Sequence, residues 1–216
     1  MTSDEQVIVL NTTKIKENSI VLHTLSRSWG RRSFLIRVSA KSGMSFFLPL
    51  NILEVSVSKN PKSDLWYIKS PSSKYPLYGL RTNIHKNTIT LFVAEVLFRT
   101  LRDGAVEDGL FDWCEKQIIT LDSMPEGYGN FHLNFLLGLC GMLGFRPEPE
   151  DIRPFSGPYQ DVMETLINKD FTSAMAVPLS GAERNDIASC LIRYLEFHTE
   201  SNINIKSLAV LREIYE

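Results

Sequence analysis

The chain has 216 residues, of which 44% are hydrophobic and 22% are charged. This length and composition exclude a disordered tail, a coiled-coil rod and a scaffold too small to bury its own core. The net charge of −2 hides an asymmetry. Residues 1–80 hold 11 Lys and Arg against 5 Asp and Glu, whereas residues 81–216 hold 12 against 20. This opposition suggests that the first half faces a polyanion.

The sequence predicts a cytoplasmic protein with no membrane partner. Residues 1–5 are polar and acidic, with no apolar stretch of a secretory signal behind them. The most apolar window, residues 131–145, is too short for a membrane span. Each of the three cysteines lies in an apolar helical pattern typical of reduced packing residues: Cys114, Cys140 and Cys190.

The first half is predicted to form a small β-barrel. Short runs rich in β-branched and aromatic residues alternate with turn signals that follow too closely for helices to intervene. They predict five strands, over residues 6–12, 19–25, 31–39, 46–58 and 65–70. A five-stranded barrel of this size is typical of the OB-fold, and an SH3-like barrel has the same pattern.

From Leu80 onward the hydrophobic period is helical. The third predicted helix, residues 130–144, is apolar nearly all round and is expected in the middle of a bundle. Four prolines within residues 147–158 predict a stiff surface connection, and Ser180 and Glu183 form a capping box before a later helix. The chain is therefore predicted to be a multi-domain α+β protein, with an OB-fold domain at residues 1–80 and an all-α helical domain at residues 81–216.

The sequence does not favour an enzyme. It contains no nucleophile elbow, phosphate-binding loop, zinc-protease motif or dinucleotide fingerprint. The four histidines are scattered and lack a second ligand at metal spacing, so no metal and no cofactor are expected. A metal-dependent nuclease built from the carboxylates of the second half is the remaining catalytic alternative.

Cations and aromatic rings are interleaved along the predicted strands, which favours nucleic-acid binding. Cations replace counterions along the phosphate backbone, and rings stack on unpaired bases. The alternative is that the lysines solubilise the barrel and the rings fill its core. The candidate DNA-binding residues are Lys14, Lys16, Arg27, Trp29, Arg31, Arg32, Arg37, Lys41 and Lys62.

Arg31 and Arg32 are the strongest candidates among them. Because they are consecutive on a predicted strand, their side chains point to opposite faces. In a regular strand Arg31 shares a side with Arg37, and Arg32 shares the apolar side with Phe34 unless it lies at the rim.

Several short stretches, each weak alone, occur in a specific order and spacing. They are ENSIV at 17–21, WGR at 29–31, LPL at 48–50, ILEV at 52–55, NPKSDL at 60–65, LGFRP at 143–147, ERN at 183–185 and KSLAVL at 206–211. Through them nearly the whole chain resembles the DNA repair protein RecO family, in the shorter form of Bacteroidetes-type bacteria.

The resemblance implies an N-terminal OB domain, a helical domain and a recombination mediator without catalytic activity. Such proteins bind single- and double-stranded DNA, anneal complementary strands, and associate with RecR. They also contact the acidic tail of single-stranded-DNA-binding protein and help RecA onto covered strands. An alternative from another class is an adaptor whose basic barrel docks acidic partners.

Two departures from the family pattern stand out. Many relatives carry a four-cysteine zinc loop in the helical half, but residues 146–161 contain no cysteine, so we expect no zinc. The family's loop after the third strand is often densely basic, whereas residues 39–45 supply only Lys41. We therefore expect modest DNA affinity.

The resemblance also places a receptor for the partner tail on the helical domain. A tail with an aspartate-rich stretch and an apolar tip needs a hydrophobic slot beside a cation. The matching helix offers Phe135 and Leu139, with Arg99 or Arg102 as cations. The alternative is that Phe135 and Leu139 fill the bundle core.

Overall fold

The structure is a computed structural model that describes residues 2–38, 43–60 and 64–215. Its first half forms β1 (Thr2–Lys16), β2 (Ser19–Ser26), β3 (Gly30–Arg37), β4 (Ile52–Ser58) and β5 (Trp66–Ser73). These strands close into a barrel in the order β1-β2-β3-β5-β4, with β4 pairing back onto β1. Only β3 and β5 pair in parallel among these strands. The barrel is OB-like, which confirms the predicted fold class.

The strand predicted over residues 46–58 was too long, because β4 begins only at Ile52. Residues Met44–Phe47 form a 3₁₀ turn instead. The Nδ2 of Asn51 donates to the carbonyls of Ser45 and Phe46 at 2.8 and 3.0 Å, and Leu50 has a φ of +60°. These side-chain hydrogen bonds offer the backbone an alternative to the sheet, so the apolar run turns before it enters the barrel.

Strand β1 is buried on both faces. Val7 and Val9 point into the barrel core, whereas Ile8 and Leu10 belong to the core of the helical half. The continuous apolar run at residues 7–10 follows from this, because alternate residues of a strand face opposite sides. The barrel and the helices therefore share one apolar contact surface.

The second half is helical, with a long central helix against the barrel. It contains α1 (Tyr78–Thr82), α2 (Ile84–Thr100), α3 (Leu110–Ser123), α4 (Phe131–Met142), α5 (Pro149–Ser156), α6 (Gln160–Asn168), α7 (Phe171–Met175), α8 (Gly181–Thr199) and α9 (Ser207–Tyr215). Helix α2 contacts β1, α4, α8 and α9. Buried residues such as Ile89, Phe92 and Val96 along α2 join the barrel to the helical core.

The proline-rich segment is helical rather than a plain surface connection. Pro149 occupies the first turn of α5, where its missing N–H costs no hydrogen bond. Glu148 and Asp151 form a capping box before it. The capping box predicted at α8 is confirmed, since Ser180 Oγ accepts from the Glu183 N–H at 3.2 Å and Glu183 Oε2 accepts from the Ser180 N–H at 2.7 Å.

Candidate nucleic-acid interface

The fold separates the cations of the barrel into three groups. One group lies at the junction with the helical half, where it pairs with carboxylates. Arg27 lies 2.5 Å from Asp112 and 3.3 Å from Glu115, and Lys74 lies 2.6 Å from Glu115. Part of the opposite charge of the two halves therefore forms ion pairs between them, so these cations are not free for a ligand.

Arg31 belongs to this junction group. Its guanidinium lies 4.7 Å from the ring centroid of Phe98 on α2 and 3.8 Å from Asp103. Its carbonyl accepts from the N–H of Gly104 at 2.7 Å. With a side chain only 19% exposed, Arg31 holds the barrel against the helices.

Arg32 points to the other side and joins a partly exposed group of rings and cations, whose two tryptophans pack against the barrel core. Its guanidinium lies 4.0 Å from the Trp66 ring centroid, and the Lys59 ammonium lies 5.2 Å from it. Trp29 meets Trp66 edge to face at 5.1 Å. We call Trp29, Arg32, Lys59 and Trp66 the tryptophan cluster. The start of β3, the end of β4 and the start of β5 bring its members together.

A second group of solvent-facing cations crosses the barrel wall. Lys16 pairs with Ser19, and Ser19 pairs with Arg37, so these positions form one row over β1, β2 and β3. Lys69 on β5 lines the same groove as Arg37 and extends the row. Lys16, Arg37 and Lys69 are the basic row. Among the described residues none of the three pairs with a carboxylate.

The other candidate residues fall outside these groups or outside the described structure. Lys14 is exposed two residues before the end of β1. Lys41 and Lys62 lie outside the described residues. Lys59, Trp66 and Lys69 belong to the interleaved cations and rings of the predicted strands but not to the candidate residues, because only the meeting of β3, β4 and β5 shows that they adjoin Arg32 and Arg37.

One part of the barrel surface carries carboxylates. A groove beside the start of β1 is lined by Asp4, Glu5 and Glu54 together with Arg27. The Glu5 carboxylate is buried and accepts from the N–H groups of Gln6 and Ser28 at 3.0 and 3.3 Å. A polyanion is therefore attracted to one part of the barrel and repelled from another.

The four predicted partner-binding residues are not together. Phe135 and Leu139 are 1% and 0% exposed and lie in the helical core, with Phe135 4.9 Å from Trp113 between ring centroids. Arg99 lines a groove between the barrel and α9, and Arg102 lines a small cavity beside His198. As folded, Phe135 and Leu139 offer almost no surface to a partner.

The same helix nevertheless lines an open groove with its other face. This helical groove, of about 490 Å³, is formed mainly by Trp113, Leu137, Gly138, Gly141, Met142, Leu166 and Phe171. Arg146 and Lys169 supply cations at its edge, and Asp170 is its one lining carboxylate. Hydrogen bonds from Ser173 lower the pKa of Asp170 and tie it to the start of α7.

Glycines are the sequence signal for this groove. Gly138 and Gly141 lie three residues apart, on one face of an otherwise apolar helix. A Cβ on Gly138 would lie 2.6 Å from the Trp113 ring, so only glycine permits this contact. The face of α4 that carries Gly138 and Gly141 is therefore the one that lines the helical groove.

The described residues hold neither a metal-binding cluster nor a membrane-spanning helix. No group of three or more His, Cys, Asp or Glu side chains is placed to hold a metal ion in the part of the chain described. No helix in these same ranges has the length and apolarity needed to cross a membrane. The three cysteines are buried and unpaired.

Comparison with known proteins agrees with this architecture. Residues 1–74 match the family described as "Recombination protein O N terminal", and residues 81–151 match "Recombination protein O C terminal". The chain is 31% identical to a protein named DNA repair protein RecO from Phocaeicola vulgatus, over 96% of this chain and 97% of that protein. Proteins of the same name from Porphyromonas gingivalis and Bacteroides fragilis are 30% and 29% identical, over 98% and 97% of both chains. The chain therefore belongs to the RecO family.

Proposed function

We propose that the chain is a non-enzymatic mediator of recombination repair that holds DNA on the solvent-facing cations of its barrel. The observation that carries this proposal is the basic row, whose three cations pair with no carboxylate among the described residues. The proposed DNA contacts are Lys14, Lys16, Trp29, Arg32, Arg37, Lys59, Trp66 and Lys69. Lys41 and Lys62 stay in the proposed set on charge alone.

The physical basis is counterion release. Each cation that neutralises a phosphate releases a condensed counterion, so affinity falls with salt in proportion to the number of contacts. Cations without carboxylate partners are available for this exchange, whereas Arg27 and Arg31 must first leave Asp112, Glu115 or Asp103. We therefore assign Arg27 and Arg31 mainly to the junction between the halves.

Strand annealing follows from the same chemistry. Two complementary strands repel each other unless their phosphates are neutralised together. The proposed surface combines a cationic row with partly exposed rings, which suits single strands and duplex alike.

We place the boundary between the DNA-binding and helical domains at Leu80, where the strands have ended and α1 has begun.

The proposed partners are RecR, single-stranded-DNA-binding protein through its C-terminal tail and, indirectly, RecA. We assign the tail to the helical groove. Its apolar floor suits the apolar tip, and Arg146 and Lys169 suit the aspartates that precede it.

The test of DNA binding is a salt titration on matched variants of the full chain. Lys16→Gln combined with Arg37→Gln is expected to weaken binding to a labelled duplex and to reduce the salt slope by about 2, roughly 0.9 per lost contact. Lys116→Gln, an exposed lysine on α3, is the control and is expected to change neither. A flat salt response of the unaltered protein would favour an adaptor for acidic proteins instead.

A further inference from the structure

The barrel wall opens between β3 and β5. These strands pair at only two positions, Phe34 with Trp66 and Leu35 with Tyr67, and then separate. Beyond them β5 has an irregular register against β4, with Ser70 at a φ of +48° followed by Pro71. Proline has no N–H to donate to a neighbouring strand, so this edge of β5 tolerates the gap.

The gap forms a groove of about 530 Å³, which we call the barrel groove. Ile36 and Ile68 lie along it with their side chains buried in the barrel core. Tyr67 and Lys69 flank Ile68 in sequence, so their side chains project to the outer side of β5. Arg37 projects from β3 in the same way, next to the buried Ile36.

The lining combines two kinds of contact that a nucleotide needs. Arg37 and Lys69 are exposed, and neither pairs with a carboxylate among the described residues, so both are available to a phosphate. Tyr67 and Pro71 are partly exposed and provide a ring and an apolar surface beside them. The tryptophan cluster differs, since the Trp66 ring already contacts two cations and a second indole.

We propose that the barrel groove is a single-strand-specific subsite, in which one unpaired base stacks on Tyr67 while its flanking phosphates contact Arg37 and Lys69. This inference rests on the proposed DNA-binding function and names its preferred substrate at this position. A base in a duplex is paired and stacked, so only its backbone reaches the two cations. Tyr67 therefore contributes to single-strand affinity, whereas Arg37 and Lys69 contribute to both.

Fluorescence anisotropy on the full chain tests this division. The probes are a labelled oligothymidylate and a labelled blunt duplex of the same length. Tyr67→Leu is expected to weaken oligothymidylate binding at least about fivefold and to leave duplex binding within about twofold. Tyr67→Phe keeps the ring and is expected to bind both probes normally. Tyr78→Leu replaces a tyrosine that is 72% exposed on α1 and is the matched control.

A second measurement uses the unaltered protein, so it does not depend on the folding of a variant. A single strand carrying 5-iododeoxyuridine is crosslinked by light, and the modified peptide is identified by mass spectrometry. We expect crosslinks at Tyr67. Equal losses for both probes in Tyr67→Leu, no loss in either, or crosslinks confined to other peptides would each overturn the subsite. If Lys16→Gln with Arg37→Gln still weakens duplex binding, the proposed function survives that result; if the unaltered protein binds neither probe, both proposals fail.

Discussion

Arg31 and Arg32 are neighbours in β3, yet their guanidinium groups lie on opposite sides of the barrel wall. Arg31 lies 4.7 Å from the Phe98 ring centroid, and Arg32 lies 4.0 Å from that of Trp66. The alternation of side chains along a strand causes this separation. One arginine therefore joins the two halves of the molecule, and the other, partly exposed, lies over the Trp66 ring.

The first prediction separates these two arginines. Arg32→Gln is expected to reduce the salt slope of DNA binding by about 1, because one phosphate contact is lost, and to lower the free energy of unfolding by about 1 kcal/mol, because its contact with the Trp66 ring is lost. Arg31→Gln is expected to leave the slope unchanged and to lower the free energy of unfolding by about 1 kcal/mol, since its contact with Phe98 is lost. Salt-dependent anisotropy and urea denaturation measure the two effects. A smaller salt slope in Arg31→Gln, with an unchanged slope in Arg32→Gln, would place Arg31 at the DNA.

The second prediction concerns Gly30, where the chain turns into β3. Its φ is +62°, and a Cβ there would lie 1.7 Å from the Ala105 carbonyl oxygen. Gly30→Ala is expected to lower the free energy of unfolding by at least about 2 kcal/mol, because left-handed strain and a backbone clash act together.

Gly104→Ala is the matched control for Gly30. Gly104 also has a positive φ, +74°, but no atom lies within 4 Å of an added Cβ. Only the conformational strain remains, which costs about 1 kcal/mol. Equal losses in the two variants, measured by urea denaturation, would contradict the close approach of β3 to the helical half.

The third prediction is a pH dependence of stability caused by His132. Burial, with a smaller contribution from Arg184, lowers the pKa of this histidine from 6.5 to about 3. An unfolded chain takes up the proton below pH 6.5, but the folded chain does not. The free energy of unfolding is therefore highest above pH 6.5. It falls by up to about 1.4 kcal/mol for each pH unit below that value.

His132→Phe removes the titrating ring and keeps an aromatic side chain against Phe92, which lies 5.8 Å away between centroids. Unfolding free energies measured in urea at neutral and mildly acidic pH are expected to converge in this variant. Some dependence remains, since burial and Arg31 also lower the pKa of His23. An unchanged pH profile in the variant would show that His132 does not contribute.

The fourth prediction tests the helical groove with a peptide that carries an aspartate-rich stretch and an apolar tip. Arg146→Gln and Lys169→Gln are each expected to weaken its binding about fivefold, which corresponds to ~1 kcal/mol for one ion pair. Isothermal titration calorimetry measures the affinity. Arg102→Gln is the control, since Arg102 lines a different cavity. Weaker binding in Arg102→Gln alone would move the tail to that cavity.

Much of the architecture was predictable because it depends on local patterns. The change from a strand period to a helical period near Leu80 predicted a barrel followed by helices, and Ser180 with Glu183 predicted the start of α8. The errors occurred where side chains override a pattern. Asn51 ends the apolar run before β4, and Pro149 in the first turn of α5 begins a helix where prolines suggested a connection.

The sequence by itself determined the chemistry available to each half: a basic barrel with interleaved rings and an acidic helical half. Only the tertiary structure decided how that chemistry is used, because charge and ring content do not specify contacts between distant residues. Asp112 and Glu115 engage Arg27, while Lys16 and Arg37 remain at the surface. On α4, Phe135 is buried and Gly138 opens a groove, since the packing of the neighbouring helices decides which face of an apolar helix meets solvent.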